Sequence, residues 1–147
     1  MLVADDSSGW ISIYGYHLDS DGRPEYVEET EVHTSFDANH GLACGDVDND
    51  GYAEILVADD ESGAIDIYDI NSWEHGWEYS LDTTFDEDDG LACGDIDNDG
   101  YAEIIVADDE SGVVDIYNTA GWECSVATSF DEDDSLACGD VDGDGYD

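Results

Sequence analysis

At 147 residues, 41% of them hydrophobic with four Trp and nine Tyr, the chain is too apolar for disorder and long enough to bury a core. Its charge is lopsided: 42 Asp and Glu stand against one basic residue, Arg23, for a formal net charge of -41. That balance excludes nucleic acid and anionic membrane surfaces as partners, since both are recognised through Lys and Arg, and it makes cations the natural counter-ions.

In chain order the predicted elements are all strands. Residues 1–36, opening on "MLVADDSSGWISIYGY", read as three strands, with "DSDG" at 19–22 as a hairpin turn. Residues 37–85 read as four. These are "GLACGD", then "AEILVA", apolar on both faces and so covered on both sides, then "GAIDIY", entered through a "DDESG" turn whose Gly63 supplies a positive φ. The fourth is "WEYSLDTTF", where Trp77, Tyr79, Leu81 and Phe85 alternate with Glu78, Ser80, Asp82 and Thr84 as on a half-buried strand. Residues 86–130 repeat all four, with Gly112 in the turn and Trp122, Cys124, Val126 and Phe130 on the last strand. Strict alternation places Trp77 and Trp122 in the core. Residues 131–147 repeat only the first strand and the loop after it. No stretch approaches the roughly 20 apolar residues of a membrane span, and Met1 runs into "LVADD" without a signal-peptide pattern.

The repeat is unequal in length, and the variation is confined. Val3, Val57 and Val106 each precede a Tyr by 11 residues, and Phe36, Phe85 and Phe130 each precede a Leu by 6. Only the stretch from Tyr to Phe changes, from 22 to 17 to 13 residues, as one surface hairpin does on a fixed scaffold. Four antiparallel strands per unit describe a β-propeller blade. The fold class is therefore all-β, with three four-stranded units permuted at the termini: strands two to four of a split blade (1–36), a second blade (37–85), a third blade (86–130), and strand one with its loop (131–147). Closed propellers use about four to eight blades, and an unpaired strand edge is an aggregation hazard, so neighbouring copies are expected to complete the split blade. Three arrangements follow: two copies closing a ring, copies adding into a fibre, or an excerpt of a longer tandem chain.

The chemistry lies in "DVDNDGYAE" and "DIDNDGYAE". Asp46, Asp48 and Asp50 stand at positions 1, 3 and 5, Gly51 at 6, Tyr52 at 7 with its carbonyl on offer, and Glu54 at 9. Asp95, Asp97, Asp99, Gly100, Tyr101 and Glu103 repeat the pattern, and Asp140, Asp142, Asp144 and Tyr146 begin it a third time. Alternating hard oxygen ligands around a Gly that permits a sharp turn are what Ca2+ needs to collect six to eight contacts; magnesium, which demands octahedral geometry and retained water, suits such a cage less. The EF-hand Glu at position 12 is absent, its place being taken by Val57 and Val106. Two carboxylates 5 Å apart repel by about 3 kcal/mol at an effective dielectric near 20, so three in one loop cost on the order of 10 kcal/mol without a cation. In the third loop no residue fills the ninth slot. Asp147, aligned with Ala53, is expected to shift into it, and Met1, aligned with Ile55, to arrive from a neighbouring copy beside it.

These residues resemble the FG-GAP or VCBS repeat of integrin α-subunit propellers and many secreted microbial proteins. The resemblance covers all three units. It implies that the loop joins strands one and two of each blade and that Asp46, Asp48, Asp50, the Tyr52 carbonyl and Glu54 hold calcium, with the second copy alike. Glu at position 9 departs from the more usual Asp.

Nothing selects a catalytic centre: His17, His33, His40 and His75 share no slot, Lys is absent, and no carboxylate pair is singled out. The chain thus reads as a non-enzymatic, calcium-binding structural protein of an extracellular or cell-surface assembly, with copies of itself as partners. The alternative is an adhesive module binding glycans or extracellular proteins. Trp10, which replaces Ala64 and Val113 of the other units, and Trp73 in the variable hairpin are the candidate contacts for it, beside Met1 and Asp147 for the joint between copies. Cys44, Cys93 and Cys138 share one slot that reads as a small buried hydrophobe, with disulfides left open. "FDEDD" at 85–89 and 130–134 reads as solvated loop, able to hold further cations weakly.

Overall fold

The computed structural model describes residues 1–70 and 76–147; Trp73 and His75 lie outside the described residues. All elements are strands: β1 (Leu2–Asp5), β2 (Trp10–Leu18), β3 (Pro24–His33), β4 (Gly41–Gly45), β5 (Glu54–Asp59), β6 (Ala64–Asp69), β7 (Gly76–Asp82), β8 (Gly90–Gly94), β9 (Glu103–Asp108), β10 (Val113–Asn118) and β11 (Gly121–Ala127). They form three antiparallel meanders, β1-β2-β3, β4-β5-β6-β7 and β8-β9-β10-β11, the last two being four-stranded sheets of the propeller-blade type. The chain divides into two compact units, Met1–Ala38 and Asn39–Asp147.

The first unit is one twisted sheet. Ile11, Ile13 and Val32 are its buried hydrophobic side chains. Asp19 makes the β2–β3 turn, its carboxylate accepting from the Asp21 and Arg23 N–H groups at 2.9 and 2.8 Å while Gly22 takes φ 75°. The expected hairpin is there.

In the second unit the two sheets pack face to face. From the first sheet come Leu56, Ala58, Ile65 and Ile67; from the second, Ile104, Val106 and Tyr117; Phe85 and Val47 seal the seam, with Ala43, Tyr79, Leu81, Leu91 and Cys93 at its margin. Six of these are wholly buried, and the larger five, Leu56, Ile65, Ile67, Ile104 and Val106, are each worth about 1.5–3 kcal/mol on removal from water. Glycine sets the spacing. A Cβ on Gly45 would run into Cys93 Sγ and stand 3.0 Å from Ala102 Cβ, and one on Gly94 would run into Cys138 Sγ. The innermost strands therefore approach more closely than any other residue permits.

Residues 131–147 follow that spacing without completing a sheet. They lie against β8, where Leu136 and Phe130 face Gly90, and 135–139 form no strand with any of the described residues.

The expected burial of two tryptophans is not observed. Trp77 is 60% exposed and Trp122 61%. A β-bulge is the cause: Ile67 pairs with Tyr79 but Tyr68 with Trp77, leaving Glu78 as the extra residue, and Ile116 with Cys124 but Tyr117 with Trp122, leaving Glu123. The slip turns each indole to the opposite face of its sheet, where it lies exposed at the last strand. There Nε1 of Trp77 donates to Asp66 and Ser80 at 3.2 and 3.1 Å, and Nε1 of Trp122 to Asp115 and Ser125 at 3.2 and 3.3 Å. The shared cysteine slot is also less buried than expected: Cys44 is exposed, Cys93 and Cys138 are half-buried, and with Cys124 all are free thiols.

Candidate metal centre

The loop between β4 and β5 is shaped by its own carboxylates. Asp46 accepts from the Asp50 N–H at 3.0 Å and the Gly51 N–H at 2.9 Å; Asp48 accepts from Asp50 at 3.0 Å and Asp50 from Tyr52 at 2.9 Å. Two residues take left-handed backbone, Asn49 at φ 60° and Gly51 at φ 93°, which only such residues adopt cheaply. The β8–β9 loop repeats every contact around Asp95, Asp97 and Asp99, with Asn98 and Gly100 left-handed. The third loop does so around Asp140, Asp142 and Asp144, with Gly143 and Gly145. In each triad the carboxylate oxygens lie within 4.8 Å of one another, close enough to share one cation. The Tyr52, Tyr101 and Tyr146 side chains point outward, 55%, 44% and 48% exposed.

Glu54 is 1% exposed and Glu103 3%, an unusual position for an acid. Each reaches back to the second residue of its loop: Glu54 Oε2 accepts from the Val47 N–H at 2.9 Å and Glu103 Oε2 from the Ile96 N–H at 3.0 Å. The other oxygen of Glu54, Oε1, is buried with no hydrogen-bond partner. Burial, with Asp48, Asp46 and Asp50 adding repulsion, pushes the Glu54 carboxyl up to about 7, and burial raises Glu103 for the same reason. An orphaned, desolvated carboxylate oxygen beside three more carboxylates is the environment a hard cation reverses, and the donor set is all oxygen. The residues present fit such an ion.

Successive loops are joined by a backbone bond. The Ala102 N–H donates to the Asp46 carbonyl at 2.8 Å, and the Asp147 N–H, one repeat on, to the Asp95 carbonyl at 3.2 Å. The Asp147 carboxylate accepts from the Asp95 N–H at 3.1 Å. In this structure Asp147 thus lies against the preceding loop, in the eighth position of its own. Trp10 is 42% exposed and stacks edge-on against His33 at 5.0 Å. Met1 is 65% exposed, its ammonium donating to the Tyr14 carbonyl at 3.0 Å.

At the other end of the strands the structure gathers a group that sequence spacing hides. Asp86 and Asp89, from "FDEDD", meet Asp109 of the β9–β10 turn, with ligand oxygens within 4.8 Å. Asp89 accepts from the Asp109 N–H at 2.9 Å and the Asp86 N–H at 3.0 Å, and burial pushes its carboxyl up to about 6. Asp60, Glu61, Glu87, Asp88 and Glu110 line the same cavity of about 430 Å³. One repeat earlier His40 fills the slot of Asp89, with Nε2 3.4 Å from Asp60 Oδ1. A separation of 20 residues between Asp89 and Asp109 gives no local motif.

Residues 46–106 match the family model of the FG-GAP-like repeat. The matched span opens on the first aspartate of one loop and closes on β9 after the next, so it holds both complete copies of the loop and strands β5 to β8 between them. No curated protein and no solved structure matches the chain.

Proposed function

We propose that the protein is a non-enzymatic calcium-binding structural repeat, a building block of an extracellular assembly in which the metal fixes each blade at its inner loop. The observation that carries this reading is Glu54 Oε1, buried and unpaired beside Asp46, Asp48 and Asp50. Asp46, Asp48, Asp50 and Glu54 would hold the ion with the Tyr52 carbonyl, and Asp95, Asp97, Asp99, Glu103 and the Tyr101 carbonyl a second; Asp140, Asp142, Asp144 and Tyr146 offer part of a third. The bound cation supplies charge neutralisation. The chain's own part is to pre-shape the loop through the Asp-to-backbone bonds and to exclude water from the ninth ligand. The match to the FG-GAP-like repeat and the all-oxygen donor set support calcium, and the surplus of acid suits calcium-rich, salty surroundings outside the cell. A glycan- or protein-binding module is favoured by one observation, the oriented and exposed Trp77 and Trp122.

Isothermal titration of the chelated protein with calcium is expected to show at least two bound ions, with a thermal midpoint that climbs with free calcium as ligand linkage requires. A flat titration, or a midpoint indifferent to calcium and chelator, would remove the reading.

A further inference from the structure

Tyr79 and Glu54 share a buried face. Across the first complete sheet Ala43, Leu56, Ile67 and Tyr79 pair in one row, and Glu54, two residues before Leu56 on β5, stands on the same side. That side is the seam against β8–β11, where Tyr79 packs at the margin of the cluster that holds Val47, the residue whose N–H donates to Glu54 Oε2. Two polar atoms are orphaned there. Among the described residues neither the Tyr79 hydroxyl nor Glu54 Oε1 has a hydrogen-bond partner, and both atoms are buried.

One orphan is a donor and the other an acceptor. Burial first, and then the charges of Glu78, Asp48 and Glu54, push the Tyr79 hydroxyl up to about 12, so it keeps its proton beside the carboxylates of this loop. Each group costs free energy while it stays unpaired. The second repeat lacks the arrangement. Its loop carries the same ligand residues, yet Cys124 stands opposite Ile116 where Tyr79 stands opposite Ile67, and a thiol ends one bond beyond Cβ. Glu103 instead lines a cavity of about 200 Å³ with Asp99, Tyr101 and Glu123.

We infer that Tyr79 is a positioning residue for the first loop: its hydroxyl donates to the Glu54 carboxylate when that carboxylate holds the ion, which makes residues 46–54 the tighter of two sites with the same ligands. The inference rests on the reading of the loops as calcium cages and says why they are unequal. A metal-bound carboxylate is aimed by hydrogen bonds from behind, and loss of such an outer partner typically weakens metal binding about 10–100-fold. The Val47 N–H already fixes Oε2. The Tyr79 hydroxyl fixes Oε1 and leaves its second lone pair for the cation, whereas Glu103 has the Ile96 N–H but no tyrosine in the corresponding place.

Calorimetric titration of the parent, Tyr79→Phe and Glu54→Gln chains with calcium tests this. The parent is expected to show unequal affinities, and Glu54→Gln to lose the tighter one. Tyr79→Phe removes the hydroxyl and keeps the ring, so it is expected to weaken that same step by roughly 10-fold and to leave the other unchanged. Thermal melts in chelator supply a second readout. There the hydroxyl has no partner, so Tyr79→Phe should melt no lower than the parent, the opposite of what loss of a structural hydrogen bond would do. A tighter step that is the same in Tyr79→Phe as in the parent, a Glu54→Gln chain that loses the weaker step, or a Tyr79→Phe chain that melts lower in chelator overturns the inference and leaves the calcium reading standing. A parent that binds no calcium removes both.

Discussion

Glu54→Gln is expected to abolish calcium binding at residues 46–54 and, in chelator above pH 7, to leave the fold more stable than the parent. The two effects have one origin. Gln keeps an acceptor for the Val47 N–H but removes a charge that burial and three neighbouring carboxylates oppose. The Glu54 carboxyl sits at about 7 in the fold against an ordinary value near 4.3 in the unfolded chain. Its raised value therefore contributes stability that is fully present below the unfolded value and is lost as pH rises through about 7. The neutral variant has no such loss. In calcium the order reverses, because the parent gains from the bound ion about 2.7 kcal/mol at a free concentration of 100 times the dissociation constant, and the variant forfeits this loop's share. Thermal melts of both chains, in calcium and in chelator on either side of pH 7, read the crossing directly. The same calcium-induced rise in both chains would show that Glu54 is no ligand.

Gly45→Ala is expected to destabilise the second unit by about 1–3 kcal/mol, the range for an overfilled core. The added methyl runs into Cys93 Sγ, and Ala102 Cβ closes the way around it at 3.0 Å. Because Gly45 directly precedes Asp46, and the Asp46 carbonyl takes the Ala102 N–H, the loop is expected to lose calcium affinity as well. Cys93→Ala in the same chain makes room where the sulfur stood, so the double variant should recover part of the loss, a coupling that independent sites do not show. Chemical denaturation of the four chains measures it. Additive losses would mean that the inner strands are not in contact there.

Much of this was legible in the sequence because repetition removes ambiguity. A lone "DGY" is a turn; three of them, each after "ACGD" or its match, fix the loop's place between an inner strand and its neighbour. The turns held for a local reason, Gly63 and Gly112 taking φ 70° and 65° where positive φ was expected. Trp77 and Trp122 were misplaced because alternation assumes an unbroken ladder, and one extra residue, Glu78 or Glu123, reverses every side chain beyond it. The carboxylate group at Asp86, Asp89 and Asp109 was invisible for a different reason: the connection before β8 and the turn after β9 meet only when those two strands pair in one sheet. Likewise the contact of Asp147 with the preceding loop is a backbone bond, which no residue pattern encodes.

The most direct test of the central claim, that the inner loops are metal cages, is a high-resolution crystal structure grown in calcium. The account predicts an ion in the 46–54 loop at about 2.3–2.6 Å from oxygens of Asp46, Asp48, Asp50 and Glu54 and from the Tyr52 carbonyl, with the 95–103 loop alike. Loops that hold only water, with the three aspartates turned apart toward solvent, would contradict it.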